Sequence, residues 1–218
     1  MTGLIFGWSV DRGHPGPRVF EFTRAALVVV AAVGRRFDNN SDNSFGGSVV
    51  KRPKARIGDV FQIPLDPGRV SHGQVVAVNS GPGPLYVVVF RRAWALDAKP
   101  DMTDIVADEI ALVAPTMDAL IWHGRWPLVG NLAPELDRVP FPAYRITVGA
   151  ADRWFVETFD HARRRLPNPG ELEKLTNPTS VAPIRLQRAI RAINGLEPWD
   201  PTWDELTYAS VLARCIVV

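Results

Sequence analysis

The feature that most constrains the fold is a series of short apolar segments, separated by turn residues, between residues 57 and 90. The first turn is Asp66-Pro67-Gly68, in which the proline presets one backbone angle and the glycine can adopt a positive φ. The apolar run Leu85–Phe90 shows no polar alternation, which is typical of a strand covered on both faces. The pattern predicts three antiparallel strands, with the third one central and buried.

The segments that follow extend this sheet. Residues 102–114 predict a short helix that turns into a strand. Residues 126–131 predict an edge strand, because Pro127 cannot donate a hydrogen bond to a central ladder. Residues 143–148 and 153–157 predict two further strands that complete the sheet.

The last third of the chain changes to a helical period. Leu186, Ala189 and Ile190 fall on one stripe of a helix that begins at Pro183 and ends at Gly195. A second helix is predicted from residue 201 to about residue 214, with Asp200 as its N-cap. The two helices are expected to pair and cover the sheet. The predicted fold is α+β: a small antiparallel, strongly bent β-sheet or half-barrel, followed by a C-terminal helical pair.

The first 53 residues differ in composition from the rest. The polar string at residues 38–48 is typical of a linker, and the apolar run at residues 20–33 is compatible with either a helix or a strand. We expect residues 1–53 to be a poorly structured N-terminal extension and linker. Residues 54–218 are expected to form the folded domain, β-rich over residues 54–160 and helical over residues 161–218.

The composition bounds the class of protein. A hydrophobic share of 46% with 22% charged residues is ordinary for a globular chain. The longest apolar stretch, residues 25–33, is far shorter than the roughly 20 residues of a membrane-spanning helix. Asp11 and Glu21 precede this stretch, which is unlike a secretory signal. The single cysteine, Cys215, excludes an internal disulfide. We therefore expect a cytoplasmic protein that makes no membrane contact.

Residues 97–118 carry the strongest local charge bias, with six acidic residues against one lysine. A phosphate-binding surface needs basic residues, so this bias argues against a nucleic-acid partner. An acidic surface can instead steer a basic protein partner. The alternative interpretation is a solvated loop and helix start. The acidic residues are Asp97, Asp101, Asp104, Asp108, Glu109 and Asp118.

A second candidate surface is the turn that contains Trp122, His123, Arg125 and Trp126. Tryptophan and arginine are enriched in the central parts of protein interfaces. In the alternative interpretation both indoles belong to the core and His123 caps the turn.

Nothing in the sequence has the spacing of a catalytic or metal site. The four histidines form no metal-binding pair, and no cysteine lies near them. Ser71 and His72 are adjacent in a predicted loop, but no nucleophile-elbow motif accompanies them. A hydrolase would require His72, His123 or His161 to meet an Asp or Ser in space. We predict neither enzymatic activity nor a cofactor.

The segments that carry a family resemblance are residues 58–65, Gly68, residues 73–75, the strand Leu85–Phe90 and residues 126–131. In this order they resemble the immunity protein 26 family of bacterial polymorphic toxin systems. The resemblance covers residues 54–160. One departure is His72, since the family pattern leads us to expect an aromatic residue before Gly73.

The resemblance implies a small cytoplasmic antitoxin-like protein that binds and neutralises a cognate toxin domain, without catalytic residues or a cofactor. From the residues themselves, we predict that the acidic group and the aromatic turn form the contact surface. The alternative is a β-rich binding module for a small ligand or nucleic acid. The predicted partner-binding residues are Asp97, Asp101, Asp104, Asp108, Glu109, Trp122, His123, Arg125 and Trp126.

Overall fold

The computed structural model describes residues 54–78, 83–149 and 153–216. The predictions for the N-terminal extension lie outside these residues. The described residues form antiparallel sheets with several helices, most of which lie in the C-terminal part, so the predicted α+β class is confirmed. The strands are β1 Asp59–Asp66, β2 Arg69–Val78, β3 Leu85–Phe90, β4 Trp94–Ala95, β5 Ile110–Thr116, β6 Leu128–Asn131, β7 Ala143–Thr147, β8 Trp154–Thr158 and β9 Arg164–Arg165.

The helices are short apart from one. They are α1 Met102–Val106, α2 Ala119–Trp122, α3 Glu171–Lys174, α4 Pro183–Ile193 and α5 Tyr208–Leu212, with 3₁₀ helices at Leu136–Arg138 and Pro201–Leu206. As the sequence predicts, a helix (α1) leads directly into a strand (β5). Helix α4 has Pro183 in its first turn, and Gly195 follows its end with a φ of 73°.

The main sheet has the strand order β5-β3-β2-β1-β6, and β4 pairs with β2 outside this path. The β1–β2 hairpin turns at Asp66, whose carboxylate accepts a hydrogen bond from the Gly68 backbone N–H at 2.9 Å. All six residues of β3 are buried, and β3 lies between β5 and β2. Strand β6 ends the order, so the predictions of a buried interior strand and of an edge strand are both confirmed.

Strand β2 begins at Arg69, whereas the sequence predicts that it begins at Gln74, after a loop that contains Ser71 and His72. The segment around Ser71 and His72 is therefore part of a strand and not a loop, and both residues are buried. The Ser71 hydroxyl donates to the Phe90 carbonyl oxygen at 2.7 Å. Four of the strand pairings contain register shifts, which bend the strands locally.

The prediction that residues 143–148 and 153–157 complete the main sheet is wrong. Strands β7, β8 and β9 form a separate three-stranded sheet in the order β7-β8-β9. The residues of β9 fall in the region predicted to be helical. Their partner is β8, and this pairing is set by the close return of the chain after Thr158.

The two faces of the main sheet bury different layers. One face carries Phe61 and Ile63 and packs against Leu186 and Ile190 of α4. On the opposite face, Val88 and its neighbours pack against residues of α1 and α5. Because successive residues of a strand point to opposite faces, residues 85–90 contribute to both layers.

The predicted helix over residues 201–214 is instead two elements. Asp200 caps the 3₁₀ helix Pro201–Leu206 by accepting from the Thr202 backbone N–H at 2.9 Å, which agrees with the predicted cap. Thr207 then has extended backbone angles and caps α5. Trp203 packs with the α4 layer and Val211 with the opposite layer, so the chain passes around the β5 edge.

Position 73 requires glycine, because the Phe61 ring and the neighbouring strand approach the backbone closely there. A Cβ atom at Gly73 would lie 2.5 Å from the Phe61 ring and 2.8 Å from the Val88 carbonyl oxygen. The glycine lets Phe61 lie flat across the neighbouring strand.

Candidate functional site

Two of the predicted contact carboxylates, Asp108 and Glu109, are engaged within the fold. The Asp108 carboxylate accepts hydrogen bonds from the backbone N–H groups of Arg92 and Glu109 at 2.8 and 2.7 Å. Glu109 forms an ion pair with Arg91 at 2.8 Å. These contacts join the end of β3 to the start of β5, so both carboxylates have structural partners.

Three other predicted carboxylates, Asp97, Asp101 and Asp104, are exposed on α1 and on the loop before it. Within the described residues, their side chains form no ion pair or hydrogen bond. Their charges are thus uncompensated in the described part of the chain, and their contact role stays a prediction.

The aromatic turn follows α2. Gly124, with a φ of 67°, reverses the chain there. The Trp122 side chain is 40% exposed, and His123 and Arg125 are also exposed. Three of the four residues predicted for this surface thus reach solvent, and their contact role stays a prediction.

Trp126 is a correction to the predicted contact surface. It is 1% exposed and stacks on Phe61, with ring centroids 5.1 Å apart and planes 4° from parallel. Its indole N–H donates to the Gln187 side-chain oxygen at 3.3 Å. The physical reason is that the chain enters β6 at this point and carries the indole beneath the sheet face that α4 covers.

The two candidate surfaces lie on either side of the edge strand β6. Ile105 of α1 and Ile121 of α2 belong to the layers on opposite faces of the sheet. Gly130 of β6 lies directly against Met102 of α1, since a Cβ there would be 2.6 Å from the thioether methyl group. Helix α1 and the aromatic turn thus lie around the same edge of the sheet, but on opposite faces of it.

A cleft that the sequence does not reveal lies where the two sheets meet. Its volume is about 280 Å³. Tyr86 and Pro115 contribute from the main sheet, Tyr144 comes from β7, and Phe159 and His161 follow β8. Pro178, Thr179 and Ser180 close one side. These residues lie up to 94 positions apart in the sequence, and no local pattern connects them.

A carboxylate–imidazole pair lies at the rim of this cleft. His161 Nδ1 is 2.6 Å from Oε2 of Glu157, a glutamate that is 3% exposed. The Arg164 guanidinium donates to the other carboxylate oxygen at 3.0 Å. Burial would raise the pKa of Glu157, but the hydrogen bonds from His161 and Arg164 outweigh it and hold the pKa below its ordinary value.

The histidine backbone is unusual. His161 has a φ of 61°, the left-handed region that glycine favours. Such a conformation persists only where the surrounding contacts over-determine it. Here the hydrogen bond to Glu157 fixes the imidazole ring. The His161 side chain is 47% exposed.

A hydrolase would require one of the histidines to meet an Asp or Ser in space, and the described residues meet this requirement only in part. His161 and Ser180 both line the cleft, but no hydrogen bond joins them within the described ranges. His72 is 2% exposed and lies in β2 against Trp94, with ring centroids 6.4 Å apart. The described residues contain no cluster of His, Cys, Asp and Glu able to hold a metal ion. They also contain no helix that is long and apolar enough to cross a bilayer.

The comparisons with known proteins give one match. No curated protein and no solved structure matches the chain. A family model described as Immunity protein 26 matches residues 56–189, which is more than half of the chain. The matched segment includes both sheets, the residues around the cleft and most of α4. The chain therefore belongs to the immunity protein 26 family.

Proposed function

We propose that this chain is a cytoplasmic immunity protein that binds a cognate bacterial toxin domain and neutralises it by occupying its surface. The observation that carries the proposal is the family match over residues 56–189. Neutralisation here needs no chemistry by the immunity protein, because a tightly bound partner is sufficient to cover an active site. The lone Cys215 suits a reducing compartment.

The surface that we assign to the toxin includes Asp97, Asp101 and Asp104. These carboxylates are exposed and have no ion-pair partner in the described part of the chain. Uncompensated surface charge acts at long range, so it raises the rate of encounter with a basic partner more than it slows dissociation. The exposed residues of the turn, Trp122, His123 and Arg125, extend the proposed contact surface beyond β6.

The experiment is a kinetic measurement of binding to the purified toxin domain encoded beside this chain. We expect the double substitution D101N/D104N to lower the association rate about three- to tenfold at low salt, with a smaller effect at high salt because of screening. The dissociation rate should change little.

A matched control removes two other exposed carboxylates, in D137N/E173Q. Neither forms an ion pair within the described residues, and neither lies on α1. Equal slowing by both double variants would show that only net charge matters and would refute the assignment to α1. Absence of any complex with the wild-type chain would refute the proposed function itself. Binding of oligonucleotides in its place would favour the nucleic-acid alternative.

A further inference from the structure

The cleft between the two sheets is built as a rigid aromatic socket. Tyr86 and Phe159 lie with ring centroids 5.0 Å apart, and Phe141 stacks on Phe159 at 4.6 Å. Pro115 and Pro178 form further wall positions. Because proline fixes its own φ and the rings are held by one another, the socket is preformed before any ligand enters.

One polar group in this socket has no partner. Tyr144 is 8% exposed, and its hydroxyl forms no hydrogen bond within the described residues. In contrast, the Tyr86 hydroxyl donates to the Pro140 carbonyl oxygen at 2.7 Å. The only enclosed side-chain polar atom without a partner among the described residues is His72 Nδ1. The Tyr144 hydroxyl therefore meets solvent. The Tyr144 side chain lines this cleft and also a smaller cavity beside Arg214. Most polar groups of largely buried side chains have a hydrogen-bond partner within the protein, so a hydroxyl that meets only solvent is available to a ligand.

His161 at the rim of the cleft supplies a second group that can form a hydrogen bond with a ligand. With Nδ1 of His161 bonded to the Glu157 carboxylate, the proton of that bond lies on Nδ1 and Nε2 remains for another partner. The left-handed backbone of His161 keeps the imidazole at the rim. Thr179 and Ser180 add exposed hydroxyl groups on the other side.

The volume of the cleft limits the size of the group that can bind in it. Sites for drug-sized molecules span about 300–1,000 Å³, whereas this cleft has about 280 Å³. It can hold one ring with a polar edge. Aromatic side chains are frequent anchors of protein interfaces because they fill such pockets at low entropic cost.

We propose that the cleft receives an aromatic side chain of the toxin domain, which stacks among Tyr86, Tyr144 and Phe159 and bonds to the Tyr144 hydroxyl. This proposal rests on the proposed function. Phe159 and α1 contribute to the apolar layer on the same face of the main sheet, so the cleft and the exposed carboxylates belong to one side of the molecule. The carboxylates accelerate encounter, and the socket slows dissociation.

The first test uses probes in place of the toxin. The full ¹⁵N-labelled chain is titrated, with amide resonances recorded, against N-acetyl-tryptophanamide, N-acetyl-tyrosinamide, N-acetyl-leucinamide and adenosine. We expect saturable shifts at Tyr144, His161 and Ser180 with the two aromatic amides and none with the leucine amide. Tyr144→Phe should weaken the tyrosine probe about threefold to tenfold, which corresponds to one neutral hydrogen bond.

The second test uses the toxin domain and a variant that fills the socket. Ser180→Trp should raise the dissociation rate at least tenfold and leave the association rate unchanged. Thr147→Trp is the control, since Thr147 is exposed and its position in β7 places it on the opposite face of the second sheet from Tyr144. It should leave both rates unchanged.

The outcomes separate this proposal from the proposed function. If the toxin binds the wild-type chain and Ser180→Trp dissociates at the wild-type rate, the socket proposal is refuted while the proposed function stands. If the toxin does not bind, the proposed function fails, and the socket proposal fails with it even when the probes bind. Preference for adenosine over both amides overturns the side-chain assignment and indicates a nucleobase site.

Discussion

His72 illustrates how one buried residue couples stability to pH. It is 2% exposed, and its Nδ1 has no hydrogen-bond partner among the described residues. Burial lowers its pKa from 6.5 to about 4, although the negative charge of Asp108 acts in the opposite direction. The unfolded chain takes up a proton at His72 near pH 6.5, but the folded chain does so only near pH 4. Stability is therefore lost as the pH falls between these values.

Replacing His72 by phenylalanine, the type of residue that the family resemblance leads us to expect, should remove this acid sensitivity. We expect the stability of the variant relative to wild type to rise by about 2–3 kcal/mol as the pH falls from 7.5 to 4.5, following the linkage between pKa and stability. Urea unfolding of both proteins at the two pH values gives the comparison. A difference that does not change with pH would contradict the burial of an uncharged imidazole.

The two tryptophans of the turn should differ sharply in their contribution to stability. Trp126 is enclosed against Phe61, whereas Trp122 is 40% exposed. Trp126→Ala should lower the free energy of unfolding by about 3–5 kcal/mol, and Trp122→Ala by under about 1 kcal/mol. Chemical denaturation measures both. Equal losses would mean that the two indoles share one environment.

The sequence alone did not separate these two residues. Both tryptophans flank a short polar turn, and the four residues of α2 are too few to reveal a helical period. Their burial depends on which face of the sheet the chain reaches at β6. That choice is made by contacts with Phe61 and Gln187, far away in the sequence.

Among the elements, the local signals predicted some boundaries and missed others. The turn after Asp66 and the cap at Asp200 involve neighbours within three residues, and both were predicted. The break at Thr207 was not, because Pro201 and Asp204 favour a helix that simply continues. The bridge between Leu112 and Thr207 supplies the competing interaction. Tertiary pairing thus overrides the helical pattern at this residue.

Thr207 caps α5 through its side chain. Its hydroxyl oxygen accepts from the Ser210 backbone N–H at 3.3 Å. Thr207→Ala should destabilise the protein by about 1 kcal/mol, the usual value of an N-cap, and Thr207→Ser should retain most of the stability. Thermal unfolding of the three proteins provides the measurement. If serine destabilises as much as alanine, the cap makes no contribution.

The second sheet was predicted as strands but not as a separate sheet. Residues of β7 and β8 are rich in aromatic and β-branched side chains, which indicates strands without indicating their partners. Strand β9 consists of Arg164 and Arg165. Glu157 and Glu171 pair with these arginines and bring them into the sheet region.

At the scale of the whole molecule, the scaffold was more predictable than the site. Glycines at turns and apolar strands carried the family resemblance, and the family match confirms it. The cleft arises from Tyr86, Tyr144 and Phe159, which only the packing of the two sheets brings together. Of the predicted contact residues, Trp126 is core, and Asp108 and Glu109 have partners within the fold.

The most direct measurement of the central claim is growth of bacteria that produce the toxin domain encoded beside this chain, with and without co-expression of the chain. Neutralisation by one-to-one binding predicts restored growth and a stable complex that co-purifies in equal amounts. Ser180→Trp and D101N/D104N should each weaken the rescue, whereas Thr147→Trp should preserve it. Continued toxicity with soluble, folded immunity protein present, and no complex on purification, would contradict the account.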